Sequence, residues 1–73
     1  MTYIPMKNVL EEKRQKQGIS RYGLSKKAGM GSSAVYRIET GVTSKVHHLS
    51  ALAIAAALAC KVEDIFTPII KGG

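Results

Sequence analysis

The stretch that decides the fold runs from Ile19 to Gly41 and reads ISRYGLSKKAGMGSSAVYRIETG. Ser20 can accept a hydrogen bond from an unpaired amide at a helix start, so a helix is predicted from Arg21 to Ala28. The following Gly29-Met30-Gly31 predicts a tight turn, because glycine adopts the left-handed backbone conformation easily. A second helix is predicted from Ser32 to Thr40, ended by a glycine.

The second of these two helices has two different faces. Val35 and Ile38 are apolar and three residues apart, so they are predicted to face the core together with Leu24 of the preceding helix. The opposite face is polar and basic. A short helix, a glycine-containing turn and a second short helix with such an outer face are typical of a helix-turn-helix motif. The second helix of this motif fits a major groove about 12 Å wide.

Three further helices are predicted around this motif. The first follows Pro5, which suits a first helical turn, and ends at Gly18. The fourth runs from about Lys45 to Ala59, is capped by Thr43 or Ser44, and is apolar all round, which predicts a central position. A last short turn covers Val62 to Phe66. The predicted fold class is therefore all-α, a compact bundle of five short helices in one domain (1–73), with a core at about 6–66 and a flexible or dimer-associated tail at 67–73.

Composition restricts the class of protein. The chain has 73 residues, with 11 Lys and Arg against 5 Asp and Glu, and its net charge of +6 predicts a polyanionic partner. The single cysteine, Cys60, cannot form an internal disulfide, which fits a reducing compartment such as the cytoplasm. The N-terminus lacks the order of a signal peptide, and the longest apolar stretch, Ala51 to Cys60, is too short to cross a bilayer.

The order and spacing of these residues resemble the Cro and phage-repressor (XRE-type) family of helix-turn-helix transcriptional regulators, with its lambda-repressor-like fold. Ser20 opens helix two, Leu24 and Ala28 follow, and helix three closes with Ile38-Glu39-Thr40-Gly41, which looks like the family's Ile-Glu-x-Gly. Segments 54–58 and 62–66 resemble the family's fourth and fifth helices. The likeness covers about residues 6–66 without a gap in the central motif.

The resemblance implies roles for individual residues. Arg21 stands where the family usually has a phosphate-binding Gln, and Glu39 resembles a structural Glu that would pair with Arg14. Ser25 stands where the family prefers Ala, and Gly23 is a poor helix former. The implied base-reading residues are Ser32, Ser33, Tyr36 and Arg37. The predicted phosphate-binding residues are Arg21, Lys26, Lys27, Thr43, Ser44 and Lys45, although Lys26 and Lys27 also fit a merely solvated surface and Tyr36 could pack on neighbouring side chains.

Catalytic and metal-binding roles are not indicated by the sequence. His47 and His48 are adjacent on a helix and cannot both point at one metal ion, so they are read as surface or helix-end residues. Cys60 is read as a small core residue and not as a redox sensor. Neither a Ser-His-Asp arrangement nor a phosphate-cradling glycine loop occurs. We therefore expect a non-enzyme without cofactor, metal or small-molecule ligand.

The sequence thus predicts a sequence-specific regulator of transcription that binds double-stranded DNA in a bacterial or phage-infected cell. One small module buries only about 600–1,000 Å² on DNA, so a repressor dimer on a palindromic operator is expected, with recognition helices about 34 Å apart. The alternatives are the antitoxin of a toxin-antitoxin pair and a protein-interaction adaptor on the same fold. A membrane-surface peptide is a third alternative, but the glycines at the helix ends are less compatible with it. The spare apolar residues for a dimer surface are Leu52, Ile65, Phe66, Ile69 and Ile70.

Overall fold

The computed structural model describes residues 1–69, and this part of the chain forms five helices and three short strands. The five predicted helices are present, but the all-α prediction is wrong in one respect, because a small antiparallel sheet packs beside them. In chain order the elements are β1 (Thr2–Pro5), α1 (Lys7–Lys16), α2 (Arg21–Lys27), α3 (Ala34–Glu39), β2 (Val46–His47), α4 (His48–Ala57), α5 (Val62–Ile65) and β3 (Phe66–Pro68).

The sheet has the strand order β2-β1-β3, and β1 pairs antiparallel with both neighbours. Tyr3 lies opposite Val46 on one side and Pro68 on the other. Along β1, Tyr3 and Pro5 are buried whereas Ile4 between them is exposed. This alternation is the period of two that a strand with one buried face requires.

Pro5 lies at the end of a strand and not in the first turn of a helix. It was predicted to lie in the first turn of helix one, but it ends β1, and α1 starts two residues later at Lys7. The chain is held there by a hydrogen bond that the Met6 amide donates to the Ile65 carbonyl at 2.8 Å. Pro68 is compatible with β3 because this strand lies at the edge of the sheet, where proline is tolerated.

The core lies between the helices and the inner face of the sheet. The inward positions predicted for Leu24, Val35 and Ile38 are confirmed, since all three are buried. Phe66 is also fully buried, and its ring and the Tyr3 ring pack in a T-shaped arrangement with a centroid distance of 6.1 Å. The other buried apolar residues are Leu10, Val46, Ala51, Ile54, Ala55, Ala57, Leu58 and Ile65.

The fourth helix is shorter than predicted. It begins at His48 instead of Lys45, and its cap is His47, whose Nδ1 accepts a hydrogen bond from the Leu49 amide at 3.2 Å. The cap predicted at Thr43 or Ser44 is therefore wrong, because β2 separates these residues from the helix. The predicted central position is also wrong in part, since Leu49 is 68% exposed and Leu52, one turn later, is 41% exposed.

The tail predicted from residue 67 is partly a strand. Thr67 and Pro68 belong to β3, and the Ile69 amide donates to the Thr2 carbonyl at 2.9 Å. Ile65 and Phe66, predicted as spare apolar residues for a dimer, are fully buried within the monomer, so this part of the prediction is wrong. Ile70, predicted for the same surface, lies outside the described residues.

Ala59, two residues after the end of α4, adopts a left-handed backbone conformation with φ 55°. Gly29 holds the corresponding position after α2 with φ 73°. The left-handed conformation costs an L-residue about 1–2 kcal/mol, so we expect Ala59→Gly to raise the free energy of unfolding by about 1 kcal/mol. Urea denaturation measures this change.

The control for this substitution is Ala56→Gly, at an exposed position within α4. Glycine in a regular helix position lowers stability by about 1 kcal/mol, so the two substitutions should act in opposite directions. A loss of stability in both variants would contradict the role assigned to the backbone conformation at Ala59.

Candidate nucleic-acid interface

The segment α2-turn-α3 is built by local hydrogen bonds, of which the sequence predicted the Ser20 cap. The Ser20 hydroxyl accepts from the Gly23 amide at 2.9 Å and caps α2, as expected. After α2, the Met30 amide donates to the Ser25 carbonyl at 2.8 Å, and the Met30 side chain packs against the core. These contacts fix the turn, so α3 has a defined direction relative to α2.

The third helix has a buried side and an exposed side. It begins at Ala34, two residues later than predicted, and Ser32 and Ser33 lie in the preceding turn. Tyr36 is 51% exposed and Arg37 is exposed, whereas the apolar residues of α3 point into the core. All four predicted base-reading residues are therefore accessible from outside and close together in the chain.

A depression of about 270 Å³ lies between α3 and the segment that leads into α4. It brings together Arg37, Thr43 and Lys45, three of the residues that the sequence singled out. His47 at the end of β2 and Ser50 in α4 also line it, and neither was predicted to bind DNA. Two cationic side chains at one depression make it suitable for a phosphate-bearing partner.

A second, smaller depression of about 170 Å³ is lined by Thr43 and Ser44 together with Lys7, Ile4, Pro5 and Gly41. Lys7 was not predicted as a site residue, because only the folded chain brings the start of α1 next to the loop after α3. Of the other predicted phosphate ligands, Lys26 and Lys27 are exposed at the end of α2 and line neither depression.

Four charged side chains connect the first three helices. Glu39 has only 1% of its side chain exposed and accepts from Arg14 Nε at 2.7 Å and from Arg21 Nε at 2.9 Å. Arg14 also donates to the Ile19 carbonyl at 2.8 Å, and Arg21 Nη2 lies 3.3 Å from Glu11 Oε2. The carboxylate of α3 is thus held by guanidinium groups from α1 and α2.

Arg21 makes contacts within the protein that its predicted role, phosphate binding, did not include. The hydrogen bond to Glu39 raises the pKa of its guanidinium above the ordinary value, and the guanidinium carbon lies 5.3 Å from the centroid of the Tyr36 ring. Arg21 therefore supports Tyr36, one of the predicted base readers, by a cation-π contact. Phosphate binding by Arg21 stays a prediction, and only nitrogen atoms outside these ion pairs are available for it.

Among residues 1–69, no group of three or more His, Cys, Asp or Glu side chains is arranged to hold a metal ion. Over the same range, none of the helices combines the length and the apolar character needed to cross a membrane. Burial raises the pKa of the Cys60 thiol, which lowers its reactivity, and its side chain packs against the core.

The crossing of α2 and α3, the turn between them and the exposed polar face of α3 define a helix-turn-helix domain. A family model described as Helix-turn-helix, of the Cro/C1 type, matches residues 10–65, and the chain belongs to this family of DNA-binding regulators. No curated protein sequence matches the chain.

Among solved structures, the chain is similar to SinR, described as the master regulator for biofilm formation and crystallised in complex with DNA. The TM-score is 0.75 at 22% sequence identity, and the match covers 81% of this chain and 97% of the SinR chain. At this identity the likeness establishes the fold.

Proposed function

We propose that this protein is a sequence-specific regulator of transcription that binds double-stranded DNA and acts by binding, without catalysis. The observation that carries the proposal is the exposed face of α3, where Tyr36 and Arg37 stand on a helix whose opposite face is held by the core. The net charge of +6 and the DNA complex of the structurally similar SinR support the same partner.

In this proposal α3 enters the major groove. Ser32 and Ser33 in the turn before α3 contact base edges, as do Tyr36 and Arg37 one turn further on. The DNA backbone lies along the depression beside α3, where Lys45 and Thr43 contact phosphates. The other proposed phosphate contacts are Arg21, Lys26, Lys27 and Ser44, and Lys7 joins them because it lines the depression next to Ser44.

We further propose that the protein is a repressor that binds a palindromic operator as a homodimer, since one module of this size has a small DNA contact area. Leu52 is 41% exposed and remains available for the dimer surface that the sequence predicted. Leu49, one turn earlier on α4, is exposed as well. Sedimentation with and without a selected duplex measures whether two copies assemble on one site.

Selection of bound sequences from a random DNA pool tests the base-reading assignment. We expect the wild-type protein to enrich one motif and Arg37→Ala to weaken binding to that motif by about 1–3 kcal/mol with relaxed preference at one position. Ser33→Ala should relax the preference at a neighbouring position.

Lys16→Ala is the matched control, because it also removes one positive charge but lies on α1 and lines neither depression. It should leave the selected motif unchanged. Unchanged enrichment in both Arg37→Ala and Ser33→Ala would defeat the base-reading assignment, and failure of the wild type to enrich any motif would favour a protein-interaction adaptor.

Salt dependence tests the phosphate contacts separately. With six to ten contacts, affinity should fall by about 10³ to 10⁵ between 50 and 200 mM salt. Lys45→Ala should weaken binding about equally for all sequences and reduce the slope of log affinity against log salt by about 1. An unchanged slope in this variant would mean that the depression beside α3 does not hold the DNA backbone.

A further inference from the structure

Ser25 is the polar side chain at the contact between α2 and α3. It is fully buried, and its hydroxyl makes two hydrogen bonds. Oγ donates to the Arg21 carbonyl within α2 at 2.8 Å and accepts from the Val35 amide of α3 at 3.0 Å. The second bond joins α2 to α3, ten positions further along the chain.

Val35 is the second residue of α3, and its amide is one of those at a helix start that have no partner within the helix. The residue just before a helix usually supplies the missing acceptor from its own side chain. Ser33 holds that position here, but its backbone has φ −105° and ψ 8° instead of the usual extended conformation, and its side chain makes no capping hydrogen bond. The cap of α3 therefore comes from α2.

We propose that Ser25 is a positioning residue for DNA recognition, because its buried hydroxyl caps α3 and so leaves the hydroxyl of Ser33 available to a base edge. This proposal rests on the proposed function. In its support, Ser33 is exposed while the amide that it would otherwise satisfy is already bound. A serine hydroxyl engaged in a cap would have one acceptor fewer to offer to DNA.

An alanine in place of Ser25 removes the acceptor and leaves the Val35 amide without a partner in a fully buried residue. Since an unsatisfied buried donor is costly, the start of α3 must then rearrange, and Ser33 is the nearest residue of the preceding turn that carries a hydroxyl. The same substitution also lowers stability, so the test must separate positioning from stability.

The test is a double-mutant cycle on DNA discrimination, the ratio of affinities for the selected duplex and a scrambled duplex, measured well below the unfolding temperature. We expect Ser33→Ala to lower this ratio roughly 5-fold, as for one lost hydrogen bond, and Ser25→Ala to lower it by a similar factor. The double variant should lose little more than either single variant, because both changes remove the same contact.

Ser20→Ala is the matched control, because it also removes a capping hydroxyl, but from α2. It should lower stability and leave discrimination unchanged, with Ser33→Ala still costing roughly 5-fold in its background. If Ser25→Ala behaves like this control, with lower stability, unchanged discrimination and an undiminished effect of Ser33→Ala, Ser25 is merely structural and the proposal is overturned.

Amide hydrogen exchange of the unsubstituted protein keeps the proposal testable if Ser25→Ala does not fold. The Val35 amide should exchange as slowly as the amides inside α3, and rapid exchange would overturn the proposal. A wild-type protein that does not discriminate between the two duplexes would remove the proposed function itself, whereas discrimination that survives Ser25→Ala would remove only this inference.

Discussion

Glu39→Ala is expected to lower the free energy of unfolding by about 3–5 kcal/mol, because it leaves Arg14 buried without its carboxylate partner. A domain of 73 residues has a total stability of about 4–11 kcal/mol, so this loss removes at least about a quarter of it. Thermal and urea unfolding followed by circular dichroism measure the loss.

The control for Glu39→Ala is Glu12→Ala on α1. Glu12 also forms an ion pair, with Lys16 at 3.7 Å, but both side chains are largely exposed. Exposed pairs contribute about 0–1 kcal/mol, so this variant should unfold near the wild type. Similar losses in the two variants would contradict the view that burial, and not charge alone, makes Glu39 important.

Phe66→Ala is expected to cost about 3–5 kcal/mol, because it empties a fully buried aromatic site where the sheet meets the helices. The ring contacts Tyr3 from the strand next to it, so the loss should also weaken the pairing of β1 with β3. Urea denaturation measures the stability, and the exchange of the Ile69 amide, which bonds to Thr2, reports on the sheet.

Leu52→Ala is the control for Phe66→Ala, since it also truncates a large apolar side chain but at an exposed position. It should leave the stability of the monomer within about 1 kcal/mol of the wild type. If Phe66 instead lay on a dimer surface, as the sequence predicted, Phe66→Ala would alter self-association and leave the monomer nearly as stable as before.

The helix-turn-helix could be predicted from the sequence because its signals are local. Ser20 caps the helix that follows it, Gly29 allows the turn, and Val35 and Ile38 are spaced as one face of a helix requires. Each of these signals acts within a few residues of its effect. The exposure of Tyr36 and Arg37 on α3 followed from the same spacing.

The sheet could not be predicted in this way because its strands contain at most four residues and pair across most of the chain. Pro5 is compatible with both a helix start and a strand end, and only the contact with Phe66 decides between them. The surroundings of Arg21 are likewise set by tertiary structure, since Glu11 and Glu39 come from two other helices. The sequence singled out Ser25 only because it stands where the family prefers alanine, and this difference did not predict its hydrogen bond to α3.

The pairing of Tyr3 with Pro68 has a consequence for how the chain acquires its structure during synthesis. Because β1 forms its ladder with β3 only when both are present, this edge of the first strand stays unpaired on the ribosome until residues 66–68 have emerged. The helices can form earlier from local contacts. The nascent protein therefore passes through a stage in which the aromatic ring of Tyr3 lacks its Phe66 partner, and completion of the last strand closes the domain.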